Sequence, residues 1–288
     1  MIAEIANQVV QGVLLGGLYC MFALGLSLTV GVLRFVNIAH GDLIVLISFL
    51  TLALCVALGL HPLLAMLIAL PAACAGFYAL QRLLLHRISG RNPLLALLVT
   101  FGVSVLIQNG LLQGFGADTR TLPGGALETA TIRVAPGFYV GVLPLLTLLA
   151  AVTLVLLLDG FLYRSRLGAR IRAASDDAAA ADLIGLSTPR IFALAMAVAG
   201  ATAAIAACFM GMRMNFDPTS GSSRLLIAFE AVVLGGLGSL WGTLAGGVVL
   251  GVAQSVGGEF DAAWQAIAGH ATFLLIFLLR PQGLFPKY

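Results

Sequence analysis

Lysine is almost missing from this chain of 288 residues, occurring once, as Lys287 near the tail. That scarcity removes whole classes of chemistry. A phosphate-binding loop ending in Gly-Lys-Ser/Thr cannot be written, so the chain carries no nucleotide site of that kind. A Schiff-base lysine inside an apolar segment is equally excluded. If the protein pumps a solute, the energy must come from a partner or from an ion gradient. Charge of either sign is scarce as well, at 9% of residues with a net charge of +3. The four cysteines, Cys20, Cys55, Cys74 and Cys208, lie inside apolar runs with no CxxC pair and no histidine at ligand spacing, so they read as packing residues and not as disulfide or metal partners. The opening MIAEIANQ has Glu4 but no Lys or Arg, so it lacks the basic region of a cleaved signal peptide, and the first apolar run is expected to be retained as a helix.

What is present is apolar. Hydrophobic residues make up 60% of the chain and the mean hydropathy is +1.07. A soluble domain spreads its charges over its surface, whereas here they cluster in short gaps between apolar runs, which defines an integral membrane protein. Runs near Val9 to Leu33, Gly41 to Leu60, Pro62 to Leu80, Pro93 to Phe115, Phe138 to Leu158 and Ile191 to Met212 are each close to the ~20 residues that cross a bilayer. After Leu225 the segment GGLGSLWGTLAGG interrupts the pattern, reading as two short helices or one broken one, before a final span near Ala266 to Leu279. The fold expected is an all-α polytopic bundle of about 8–10 transmembrane helices with broken or re-entrant segments, residues 1–288 forming a single transmembrane domain.

Arginine sets the orientation. Arg82, Arg87 and Arg91 share one gap, five arginines fall in the 164–190 gap, and Arg280 with Lys287 close the chain; these are expected on the cytoplasmic side. The gap at 116–137, with Arg120 and Arg133 balanced by Asp118 and Glu128, is expected outside, with the N-terminus. The Arg34 to His40 turn then lies on, or dips in from, the cytoplasmic side.

The 164–190 gap reads RSRLGARIRAASDDAAAADLIGLSTPR. Ser175 is placed to cap a short helix carrying Asp176 and Asp177 in its first turn, with Gly185 at its end, after which Thr188 and Pro189 start the next helix. Such a helix is either an ordinary loop element or a peg that docks into a groove on a motor protein. Three polar groups sit within apolar surroundings. Asn37, His40 and Asp42 flank Gly41 at a turn or break, either capping helix ends or lining a broken-helix site of the kind transporters use for small zwitterions. Glu230 is a lone carboxylate ahead of the glycines: a proton relay, a partner for a substrate ammonium, or a hydrogen-bonded interfacial group. Thr100, Ser104 and Gln108 recur every four residues and share a helix face, with Asn109 beside them, serving interhelical hydrogen bonding or a polar pathway wall.

Four stretches carry a resemblance: GLYCMFALGLSLTVGVLRFVNIAHGDL, TFGVSVLIQN, LGARIRAASDDAAAADLIGLSTPRI and FEAVVLGGLGSLWGTLAGGVVLG, with the RPQGLF tail. In order and spacing they resemble the permeases of branched-chain amino-acid ABC importers, specifically the shorter of the two paired permease types. The resemblance implies a membrane subunit, itself no enzyme, that forms the translocation pathway with a second permease in the bacterial inner membrane. Two ATP-binding subunits would drive it and an external binding protein would deliver the substrate. No cofactor of its own is implied, ATP being bound by the partners, and no nucleic acid. Gly168, Arg172, Ala173, Asp176, Ala181 and Gly185 match the family's coupling segment, which also contains Arg170 and Asp177. Asn37, Ala39, His40, Gly41 and Asp42 match its early motif, and with Thr100, Gln108, Asn109 and Glu230 they form the candidate pathway set. At Leu226 and Glu230 the chain departs from a pattern of Lys and a small or hydroxyl residue. Urea and short amides are carried within the same wider group. Outside it, a proton-coupled carrier using Glu230, His40 and Asp42, or a scaffold subunit with no pathway, are the alternative readings.

Overall fold

The computed structural model describes residues 2–88, 93–135 and 138–285. Arg91 and Lys287, used above for orientation, lie outside the described residues.

Helices dominate because long apolar segments can satisfy their backbone polar groups in lipid only by hydrogen bonding within themselves. In chain order they are α1 (Ile2–Leu33), α2 (His40–Leu58), α3 (Pro62–Ala79, continued by a π turn and a 3-10 turn to Arg87), α4 (Pro93–Phe115), α5 (Ala126–Thr129), α6 (Val142–Arg164), α7 (Arg166–Asp176), α8 (Ala178–Leu183), α9 (Thr188–Arg213), α10 (Gly221–Gly235), α11 (Leu240–Phe260) and α12 (Ala262–Leu279). Eight of them, among the described residues, are long and apolar enough to cross a membrane. α10, at 15 residues, is shorter than those eight. The interrupted region after Leu225 is thus two helices joined by Gly236–Ser239, with α12 beyond.

Among the boundaries that differ from the sequence expectation are two helix starts. The first helix begins at Ile2 and its candidate span at Glu4, not Val9, because the polar IAEIANQ segment continues the helix. The fifth run starts at Val142, since Phe138–Gly141 is instead a strand (β2) paired antiparallel with Thr131–Ala135 (β1), Thr131 facing Gly141.

α1 and α9 are the most buried spans and form the centre; α4, α6 and α12 lie at the edge. α1 and α11 approach so closely that a Cβ on Gly16 would lie 2.7 Å from the Gly247 carbonyl oxygen and 2.8 Å from the Val248 nitrogen. This small-residue packing substitutes for a hydrophobic drive that lipid does not supply. Buried polar pairs reinforce it: Tyr19 donates to Gln254, and the Thr243 and Ser27 hydroxyls are 2.9 Å apart.

The loops gather at two ends. At one, Ser175 donates to the Gly31 carbonyl at 3.0 Å and the tail residue Leu284 donates to Leu234 at 2.8 Å. Arg34, Arg164 to Arg190 and Arg280 all belong to this arginine-rich end. At the far end Gln8 donates to Glu259, and Arg120 and Phe216 exchange backbone bonds of 2.8 and 2.9 Å.

The segment between α6 and α9 corrects one expectation. Ser175 caps nothing; the arginine run is itself helical because Ser165 accepts from the Gly168 N–H at 2.9 Å and starts α7 there. The next helix is capped by Asp177, whose Oδ1 accepts from Ala179 and Ala180 N–H at 2.9 Å each. Asp176 and Asp177 therefore mark a break between α7 and α8 and do not fill one first turn. Gly185 does end α8, with φ +85, as a left-handed helix end requires.

Candidate functional site

The polar groups near the start of the chain are placed by two segments that turn back into the bundle. After α1, residues 34–39 return from the arginine-rich end. His40 then contacts α1 through Nε2 and the Phe22 carbonyl oxygen at 3.0 Å. Phe22 lies 11 residues before Leu33, the last residue of α1, so α2 begins about 16 Å inside that end of the helix, near the middle of a ~30 Å hydrocarbon layer. From the far end residues 214–220 return in the same way and start α10 at Gly221. The two helix N-termini meet: a Cβ on Gly41 would lie 2.9 Å from the Leu225 nitrogen and would overlap the Gly221 carbonyl, while a Cβ on Gly221 would overlap the Asp42 carboxylate. Only glycine fits at either place.

Asp42 is the hub. Its side chain is 1% exposed, and Oδ2 accepts from the Ser104 hydroxyl at 2.6 Å while Oδ1 accepts from Gln108 Nε2 at 2.9 Å. Lying in the first turn of α2 and against the start of α10, the carboxylate also faces the positive ends of two helices, which offsets the cost of burying its charge. Gln108 Nε2 further reaches the Ser104 hydroxyl at 3.5 Å and Ser222 at 3.4 Å. Thr100 accepts from the Ile38 N–H at 3.2 Å, holding the returning segment on α4. Asn37 is fully buried and accepts from the Ala39 N–H at 3.1 Å. Its Nδ2 and His40 Nδ1 are buried and, among the described residues, have no partner.

The structure thus links Asp42, Ser104 and Gln108 beside Gly41 and adds Ser222, which the sequence reading passed over; Asn37, His40 and Thr100 lie on or against the same returning segment, but their side chains bond to the backbone of Ala39, Phe22 and Ile38 and not to this group. Asn109 is not in it: it is exposed and donates to its own helix at the Val105 carbonyl, 2.8 Å away. Nor is Glu230, which is buried between α10 and α12, its Oε1 2.6 Å from His270 Nδ1 and its Oε2 without a partner among the described residues. His270 was the missed member. An ionisable residue within the apolar run of α12 was the signal that could have found it.

This cluster is open on one side. Gln108 is partly exposed, and Ser222, Ser223, Asn109 and Leu226 are exposed around it. On the outer face of α4, a Cβ at Gly102, Gly110 or Gly114 would meet nothing within 4 Å.

At the arginine-rich end, α7 buries Gly168, Ile171 and Ala174. A Cβ on Gly168 would overlap the Phe161 and Leu162 carbonyls, so α7 lies tightly against the end of α6. Arg170, Asp176 and Asp177 are exposed, Arg172 and Ala173 half-buried, and Ala181 buried. α8 ends in two exposed apolar side chains, Leu183 at 89% and Ile184 at 75%. It is held on α9 by Asp182, whose Oδ1 accepts from the Thr188 hydroxyl at 2.5 Å and N–H at 3.0 Å. Those bonds, the hydroxyl's first, keep the Asp182 carboxyl below the usual carboxylate range.

A multi-pass bundle with two helix starts meeting at mid-depth on a polar wall, and a short helix pair projecting from one end, is the architecture of a membrane permease. The chain belongs to the family described as branched-chain amino acid transport system / permease component, whose model matches residues 8–279. It is 29% identical over 96% of its length to the high-affinity branched-chain amino acid transport system permease protein BraD of Pseudomonas aeruginosa, covering 94% of that protein. Identity to LivH, the corresponding permease of Escherichia coli, is 27% over 96% of this chain and 94% of the relative. LivM of Salmonella typhimurium, another permease protein of such a system, matches at 32% identity over 49% of this chain and 33% of its own length.

Proposed function

We propose that the chain is the shorter permease subunit of a bacterial inner-membrane ABC importer and that it carries branched-chain or related hydrophobic amino acids. Its arginine-rich end faces the cytoplasm, following the positive-inside bias. The observation that carries the pathway assignment is the open polar wall of Gln108 and Ser222 backed by Asp42. Facing lipid, such a wall would be costly; facing a second permease across a water-filled path, it is solvated and usable. Both the LivH and LivM types of relative are permease proteins of such systems, which supports a paired assembly.

Asp42 is too deep to touch a solute directly. It acts as a positioning residue: by accepting from Gln108 Nε2 it leaves the amide oxygen of Gln108 toward the path, where it accepts from a substrate ammonium. The exposed Leu226 and Val105 supply apolar contact for a branched side chain. α7 and α8 form the contact through which partner ATPases drive the cycle, Leu183 and Ile184 inserting into their surface. The chain binds no nucleotide itself.

One observation favours a second reading: the Glu230–His270 pair is a carboxylate and an imidazole in hydrogen-bond contact, the parts of a proton relay. Uptake of radiolabelled leucine, isoleucine, valine and urea into vesicles containing all subunits separates the readings. The importer reading expects ATP-dependent uptake of the amino acids and none of urea. Uptake by this chain alone, driven by a proton gradient, would overturn it.

A further inference from the structure

Two cavities adjoin at the arginine-rich end. One, of about 640 Å³, has a polar rim formed by Arg34, Arg172, Ser175 and Asp176 and is backed by Tyr163 and Gly238. The other, of about 750 Å³, is lined mainly by apolar side chains, among them Phe35, Phe229, Val233, Phe273 and Phe277. Val30, Arg34 and Leu237 line both, so the two cavities abut, one polar and the other apolar.

Three independent features mark the polar half as built for an anion. The Arg172 guanidinium stands 4.9 Å from the centre of the Tyr163 ring, yet its Nη1 is buried and has no partner among the described residues. A buried guanidinium donor left unpaired is costly, and a bound anion satisfies it. Arg34 follows the last residue of α1 with φ 57, a left-handed position where glycine or asparagine is usual. An arginine held there in spite of that strain points to a use for its side chain. Asp176 is the single acid on the rim, so the two arginines leave the site cationic.

The apolar half opens sideways. Leu274, on its wall, is 56% exposed on the outer face of α12, and Phe273 and Phe277 stack with centroids 5.8 Å apart to form its floor. We infer that this paired space binds an anionic phospholipid, its phosphate between Arg34 and Arg172 and one acyl chain along Phe273 and Phe277 beneath Val233. Basic pockets between helices on the cytoplasmic side of a membrane are suited to anionic headgroups. The inference rests on the proposed orientation only for which leaflet supplies the lipid, and the test below needs neither transport nor orientation.

The complete complex, purified in detergent, is stripped of lipid and then melted in the presence of phosphatidylglycerol, phosphatidylcholine or inorganic phosphate, and bound lipid is counted by native mass spectrometry. Phosphatidylglycerol should raise the melting temperature and be retained on the order of tenfold more tightly than phosphatidylcholine. R34Q/R172Q should abolish that preference. Val233→Trp, which narrows the apolar half and replaces neither arginine, should weaken phosphatidylglycerol while leaving the charge intact, and so guards against misfolding of the arginine variant. Equal retention of both lipids by the unaltered protein would overturn the proposal. So would protection by inorganic phosphate as large as that by the lipid, which would leave a simple anion site without a tail.

Discussion

Replacing Leu183 and Ile184 together by serine removes two apolar side chains that the isolated subunit leaves in water. At 89% and 75% exposure they contribute little to its own fold, so the melting temperature of the permease should hold, the change in stability staying within about 0.5 kcal/mol. If a partner ATPase covers them, the cost falls on association. Fully burying a Leu or Ile is worth about 1.5–3 kcal/mol, and the pair covered to half that extent is worth about 1.5–3 kcal/mol together. At about 1.4 kcal/mol for each factor of ten, the ATPase should bind on the order of 10- to 100-fold more weakly. Titrating purified ATPase against the permease pair in nanodiscs measures this directly, with uptake as the second readout. Ala179→Trp with Ala180→Trp, on exposed positions of the same helix, should reach the same end by overfilling the contact. Full-strength association with L183S/I184S would refute α8 as the docking element.

Three further outcomes follow from the geometry. Asp42→Asn removes the charge and turns one of the two acceptors into a donor, so Ser104 and Gln108 can no longer both donate to it; uptake should fall by roughly 10-fold or more while the ATPase still co-purifies, since a buried hydrogen bond to a charged group is worth about 1.5–3 kcal/mol. Glu230→Gln should keep most uptake and its ATP dependence, and a dead but assembled variant would favour the relay reading. The Asp182 carboxyl is held below its ordinary range by Thr188, so its contribution is present above the unfolded carboxylate value and is lost as pH falls through the lowered folded one. Hydrogen-exchange protection of residues 178–186, corrected for intrinsic rate, should therefore drop in that acid window and lose the dependence in Asp182→Asn.

The spans and their grouping into a membrane bundle were legible because length and hydropathy are properties of single segments. The shared face of Thr100, Ser104 and Gln108 was legible for the same reason, a spacing of four along one helix. What that face meets was not. Asp42 reaches Ser104 and Gln108 only because residues 34–39 fold back into the bundle, and Ser222 joins only because residues 214–220 do so from the far end. Neither return has a periodic signature. In the 164–190 gap Ser175 was read as the cap, with Asp177 in the first turn. Asp177 is the cap instead, because Ser165 starts a helix that runs past Ser175, whose hydroxyl donates to the Gly31 carbonyl. Glu230 was legible as an unusual charge, but its partner His270 lies 40 residues on in another helix, beyond any local pattern.

In the proposed importer the wall formed by Gln108 and Ser222 faces a water-filled path between two permeases. Ser222→Cys, in a background with Cys74→Ser and the buried Cys20, Cys55 and Cys208 retained, places a thiol on that wall. In the assembled complex it should react with a membrane-impermeant charged maleimide, the reaction should slow when the binding protein delivers leucine, and the modified complex should no longer transport. A thiol that stays unreactive in a complex that still imports leucine would put Ser222 against lipid or protein and contradict the placement of the pathway.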